Sequence, residues 1–194
     1  SAFELLADWK TGKGVPAVVK TMNEIKAVTP NGADDAETLR YFLTEAYQKW
    51  GVTWVLLGGD VSVIPVRYVR LNAGETAISD QYYAALDGNW NADGDGFWGE
   101  YPNDKVDLYA DLFLGRAPVE TLAETENFVN KTLEYERGLG EHQNKLLYLG
   151  ERLGAGDGKD YCERVDSQVP QEGLIKTKLY ESNGNQNRSA ALSA

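Results

Sequence analysis

The sequence predicts an α/β fold in which a mainly parallel sheet is covered by helices. Two observations carry this expectation. Short apolar stretches of strand length at 52–57, 112–114 and 146–149 alternate with segments whose apolar residues recur every three or four positions. Glycines stand at the joints, as at Gly51, Gly58-Gly59, Gly138 and Gly150, where β-α-β units change direction. With 194 residues, 42% hydrophobic and 25% charged, the chain has an ordinary globular balance and room for one domain and part of another.

Taken in order, Phe3, Leu5, Leu6 and Trp9 predict a first helix that ends near Gly12 and Gly14. Residues 16–19 fit a short buried strand. Asp34 and Asp35 open a second helix, whose apolar face runs through Leu39, Phe42, Leu43, Ala46, Tyr47 and Trp50 to a stop at Gly51. A buried strand over 52–57 follows. Residues 60–111 are rich in Gly, Asn, Asp, Tyr and Trp, with strand-like pieces only at 66–69 and 82–86. Regular order returns at 112–114. Thr121 and Glu124 have the spacing of a capping box, opening a helix through Leu122, Val129 and Leu133 to Gly138. A strand at 146–149, a helix around 160–169, a strand around 175–179 and the start of a helix at 187–194 complete the pattern. The organisation expected is an amino-terminal α/β subdomain over 1–138 and the start of a second subdomain over 139–194.

Charge excludes some partners. A net charge of −11 disfavours nucleic acid, which needs clustered Lys and Arg against phosphate. No apolar stretch approaches the roughly 20 residues of a membrane span. A nucleotide-binding domain is disfavoured, because Gly58-Gly59-Asp60 after the 52–57 strand is not a GxGxxG fingerprint and no phosphate-binding GK[ST] occurs. Cys162 is the single cysteine, so no internal disulfide is possible. His142, the single histidine, lies in a polar stretch that reads as an exposed loop.

Much of the acidity falls between Asp80 and Asp111, and there the spacing is informative. With Asn89 at position one of a twelve-residue calcium loop, Asn91 and Asp93 fall at three and five, Gly94 at six, Asp95 at seven and Glu100 at twelve. Calcium takes six to eight hard oxygens at about 2.3–2.6 Å. Alternate side chains of a tight turn supply them, a glycine permits the turn, and a distal Glu closes the shell. Asp95 is expected to contribute its backbone carbonyl. Asp87, Asp104 and Asp107 are candidates for further charge. The flanks lack EF-hand helices, and an Asn in first position weakens affinity toward the extracellular range. The competing reading is a metal-free Asn/Gly/Asp turn.

Four stretches, LADWKTGKGVPAVV, WVLLGGDVSVIPVRYV, SDQYYAALDGNWNADGDGFWGE and DLYADLFLGRAPVETLAETENFVNKTLEYER, together resemble the gingipain family of cysteine peptidases. The resemblance implies a caspase-like three-layer α/β/α sandwich, incomplete at the carboxyl end of this chain. It implies a secreted or cell-surface endopeptidase of protein or peptide substrates, acting through a Cys/His dyad, with an acidic residue orienting the histidine. The family histidine stands in a Gly-His-Gly segment, and none occurs here. Cys162 lies in a helical pattern ahead of that place, so it is rejected as the nucleophile. Glu151 follows the 146–149 strand directly, at the edge where α/β sites are built, and matches the place of the family's acidic residue. The alternative for Glu151 is an exposed glutamate paired with Arg152 or Lys159. Arg67, Arg116 and Asp80, also in family-like stretches, are read as structural braces. The dyad would then lie beyond residue 194, leaving this segment inactive alone and dependent on the remaining part of the catalytic domain. A non-catalytic, calcium-stabilised interaction module with the same fold is the other reading.

Overall fold

A computed structural model describes residues 2–72, 74–138 and 140–193. The chain divides into two compact units, Ser1–Glu134 and Tyr135–Ala194.

The first unit opens with α1 (Ala2–Gly12) and α2 (Met22–Val28). The residues between them form no strand, contrary to the expectation for 16–19. Pro16 has no N–H to give a ladder, Val18 is exposed, and the Ala17 N–H donates to the Thr11 hydroxyl instead. The helix α2 was missed at the sequence level, although Thr21 and Glu24 form a complete capping box at its start. Asp34 caps α3 (Asp35–Trp50) by accepting from the Glu37 N–H at 2.8 Å, and Gly51 ends it in the left-handed region at φ 68°. Strand β1 (Trp54–Gly58) pairs in parallel with β4 (Phe113–Ala117), Leu57 opposite Arg116. Between them lie an antiparallel hairpin, β2 (Arg67–Asn72) with β3 (Glu75–Ser79), and the single turn α4 (Gln81–Ala84).

Residues 82–86 are therefore not a strand. They thread through the centre of the core, where Tyr82, Tyr83 and Ala85 are almost wholly buried. Their carbonyls find a side chain in place of a ladder. The Arg40 guanidinium, on α3, donates to the carbonyls of Tyr82, Ala85 and Asp87 at 2.7–3.3 Å. Leu39, Phe42 and Leu43 of α3 close this core with Leu57, Trp90 and Leu112. A smaller cluster joins Leu6 of α1 to Val129 and Leu133 of α5 (Leu122–Arg137). Thr121 and Glu124 cap α5 as expected.

In the second unit β5 (Lys145–Gly150) pairs in parallel with β8 (Ile175–Tyr180). A two-residue-per-strand hairpin, β6 (Arg152–Leu153) with β7 (Gly156–Asp157), leads into α6 (Gly158–Asp166). The chain continues through α7 (Arg188–Ser193). One face of the strand pair is bound to α6 by polar contacts. Asp166 receives Lys176 at 2.6 Å, Lys178 at 2.7 Å and the Tyr148 hydroxyl at 3.1 Å. Glu163 receives Lys178 at 2.7 Å and the Tyr180 hydroxyl at 3.0 Å. The architecture is α/β, with both α/β units built on a parallel strand pair, and no helix among the described residues is long and apolar enough to cross a membrane.

Candidate functional site

The acidic loop is held at its base by pairing between Asn89 and Lys105, whose N–H and C=O groups bond both ways at 2.8 and 3.0 Å. Inside this base, the buried Asp104 carboxylate accepts from the Ala92 N–H at 2.5 Å and the Glu100 N–H at 3.0 Å, fastening both arms of the loop. The sequence alone suggests Asp104 as a source of extra ligand charge. Its position shows a different task, and nothing in the local spacing distinguishes the two.

At the tip, Gly94 takes φ 73°, the left-handed turn that a side chain resists. The turn brings the carboxylate oxygens of Asp93, Asp95 and Glu100 within 4.8 Å of one another. Asn89 Oδ1 accepts from the Asn91 N–H at 3.0 Å, and Asn91 Nδ2 donates to the Asp95 carbonyl at 3.0 Å. Asn91 Oδ1 is buried without a hydrogen-bond partner. The structure thus gathers Asp93, Asp95 and Glu100 through their carboxylates, whereas the spacing alone assigned Asp95 through its carbonyl. Three carboxylates and an unpartnered carbonyl oxygen are a donor set that suits a hard divalent cation. Asp107 Oδ1 accepts from the Tyr109 N–H, and Arg40 donates to the backbone carbonyl of Asp87.

Two arginines fasten this loop to the hairpin. Arg70 stacks over the Phe97 ring at 3.7 Å and sets its Nε 4.0 Å from Glu100. Arg67, 5% exposed, lies over the Trp98 ring at 3.6 Å and forms a two-pronged pair with Asp34, both bonds 2.8 Å. Burial pushes the Asp34 carboxyl up, but the Arg67 bonds and the Glu37 amide outweigh it and hold the group below its usual range. Arg116 is a similar hub. It grips Asp80 with two 2.7 Å bonds and donates to the carbonyls of Gly59, Ile64 and Pro65.

Glu151 stands where β5 has just ended, with an exposed side chain. Among the described residues its carboxylate makes no hydrogen bond or ion pair. Of the two cations expected as alternative partners, Lys159 directs its Nζ to Asn183 at 3.1 Å, and the Arg152 backbone N–H donates to Glu181 at 2.8 Å. Cys162 lies within α6, partly buried, its thiol donating to the Leu149 carbonyl at 3.5 Å. The backbone of His142 falls in a 3-10 turn, Glu141–Asn144, and its side chain lies outside what the structure describes.

In parallel α/β frameworks sites are commonly built at the carboxyl ends of the strands, the edge at which Glu151 stands. The family model described as peptidase family C25 matches residues 1–193, and the chain belongs to that family. It is 26% identical over 180 residues to gingipain R2 of Porphyromonas gingivalis, covering 91% of this chain and 20% of that protein. It is 27% identical over 175 residues to gingipain R1 of the same organism, covering 89% of this chain and 15% of that protein. The chain thus spans about a fifth or less of the length of these curated relatives. No solved structure gives a significant match.

Proposed function

We propose that this chain is the amino-terminal portion of the catalytic region of a gingipain-like cysteine endopeptidase, secreted or at the cell surface, that cleaves peptide bonds of protein substrates. Glu151 orients the catalytic histidine, which lies with the nucleophilic cysteine beyond residue 194. The observation that carries the reading is the exposed, uncommitted Glu151 carboxylate directly after a parallel strand. A carboxylate at that edge can accept from one imidazole nitrogen and leave the other to take the thiol proton. The thiolate then attacks the scissile carbonyl, the C–N bond breaks as the imidazolium gives its proton to the departing amine, and water hydrolyses the resulting thioester to release the acid product and the thiol. Calcium is held in the acidic loop by Asn89, Asn91, Asp93, Asp95 and Glu100, and it stabilises the first unit.

In the full-length protein, Glu151→Gln lowers turnover by up to about 10⁴-fold, as expected for a lost orienting carboxylate, with an unchanged melting temperature. Full activity in that variant refutes the assignment. The 194-residue segment alone shows no thiol-dependent cleavage. The alternative reading is a calcium-stabilised interaction module without a dyad. The residues encoded after Ala194 separate the two: a Gly-His-Gly followed by a cysteine after an apolar strand supports the peptidase.

A further inference from the structure

The residue after Glu151 and the helix after it are clasped by one short turn. Two residues of the 3-10 turn Glu181–Asn183, which follows β8, grip the stretch from Arg152 to Lys159 that leads into α6. Glu181 Oε2 accepts from the Arg152 N–H at 2.8 Å. Asp157, the cap of α6, accepts from the Lys159 N–H at 2.9 Å, a bond that holds its carboxyl below its usual range. Asn183 Oδ1 accepts from Lys159 Nζ at 3.1 Å. On the other side of the same peptide, the Glu151 carbonyl accepts from the Gly158 N–H at 2.9 Å. The contact is too close for side chains: a Cβ on Gly158 would lie 2.8 Å from both Glu151 N and O, and one on Gly150 2.7 Å from Lys159 N. The backbone of Glu151 is therefore held from both sides while its carboxylate is left uncommitted.

We propose that this turn is the positioning element for Glu151, and that Glu181 is its principal residue. The inference rests on the reading of Glu151 given above. A carboxylate that must meet one imidazole nitrogen acts only from a fixed backbone, because a misplacement of about 1 Å costs up to a hundredfold in rate. The Arg152 N–H lies in the same peptide plane as the Glu151 carbonyl, so holding it together with that carbonyl fixes the plane. A glutamate after the neighbouring parallel strand supplies a charged acceptor for it, and such bonds are stronger than neutral ones.

The test uses the full-length protein, active-site-titrated so that kcat refers to folded enzyme. Glu181→Ala lowers kcat about tenfold with KM unchanged, an effect of roughly 1.4 kcal/mol on the barrier. Glu181→Gln recovers most of the rate, since its amide oxygen still accepts from Arg152. In a Glu151→Gln background, Glu181→Ala produces no further loss, because the group it positions is already gone. In the isolated segment, Glu181→Ala shifts the Arg152 amide resonance and speeds its hydrogen exchange. Unchanged kcat in Glu181→Ala alongside a deficient Glu151→Gln overturns the inference alone, as does an equal loss in both backgrounds. Full activity in Glu151→Gln, or an inactive full-length protein, overturns the reading of Glu151 and the inference with it.

Discussion

Arg67→Met is the most informative single perturbation of the first unit. Arg67 joins the cap of α3, the Tyr82 turn and the acidic loop, with the Tyr82 hydroxyl 3.3 Å from its guanidinium. Methionine keeps the aliphatic stem and removes the charge. Two charge-assisted bonds to Asp34 are lost, at roughly 1.5–3 kcal/mol for such bonds in a buried setting. The Asp34 side chain is 47% exposed, so the pair belongs near the lower figure, about 2 kcal/mol in all. Stacking on Trp98 adds about 1 kcal/mol. Asp34 keeps the Glu37 amide and water, so no carboxylate is orphaned. The sum, about 3 kcal/mol, corresponds to roughly 10 °C in melting temperature for a domain of this size. Thermal unfolding followed by near-UV circular dichroism reads both the shift and the Trp98 environment. The pair also carries a pH signature. The Asp34 carboxyl is depressed in the folded state, so its contribution is present above the unfolded value near 3.9 and disappears as pH falls through the folded one. Arg67→Met therefore flattens the acid limb of the stability curve. A shift under about 2 °C, with the acid limb intact, would refute the account of Arg67 as a brace.

Calcium at about 10 mM, against a dissociation constant of roughly 0.1–1 mM, stabilises by about 1.4–2.7 kcal/mol, and an identical melt in excess EDTA removes the metal reading. Arg70→Gln takes a positive charge from beside Glu100 and raises calcium affinity about threefold, read by titration calorimetry; a weaker affinity contradicts the role given to Arg70. In the second unit, the hydrogen bonds from Lys176, Lys178 and Tyr148 pull the Asp166 carboxyl down to about 2. Its contribution is present above about pH 3.9 and lost as pH falls through about 2, so the tyrosine near-UV signal fades across that window in the wild type and not in Asp166→Asn. Thr121→Ala removes the hydroxyl that accepts from the Glu124 N–H and costs about 1 kcal/mol in urea unfolding.

The outlines of the regular elements were written in local patterns. The face Leu39, Phe42, Leu43 and Ala46 marked α3, Asp34 and Gly51 its ends, and the Thr121–Glu124 box the start of α5, because periodicity and capping act within a few residues of sequence. The acidic spacing from Asn89 to Glu100 was local too. Residues 82–86 were misread for the opposite reason. A short apolar run fits a strand or a core-threading turn equally, and the choice fell to Arg40, some forty residues away, which satisfies its carbonyls. Residues 16–19 likewise lacked a partner strand that only the assembled fold supplies or withholds. Sequence by itself determined the family, the α/β class and Glu151 as the candidate carboxylate. The tertiary structure decided that Asp95 presents its carboxylate beside Asp93 and Glu100, that Asp104 fastens the loop, and that Glu181 grips the Arg152 amide. Each of these is a meeting of groups far apart along the chain or turned by the backbone, and local patterns carry no record of such meetings.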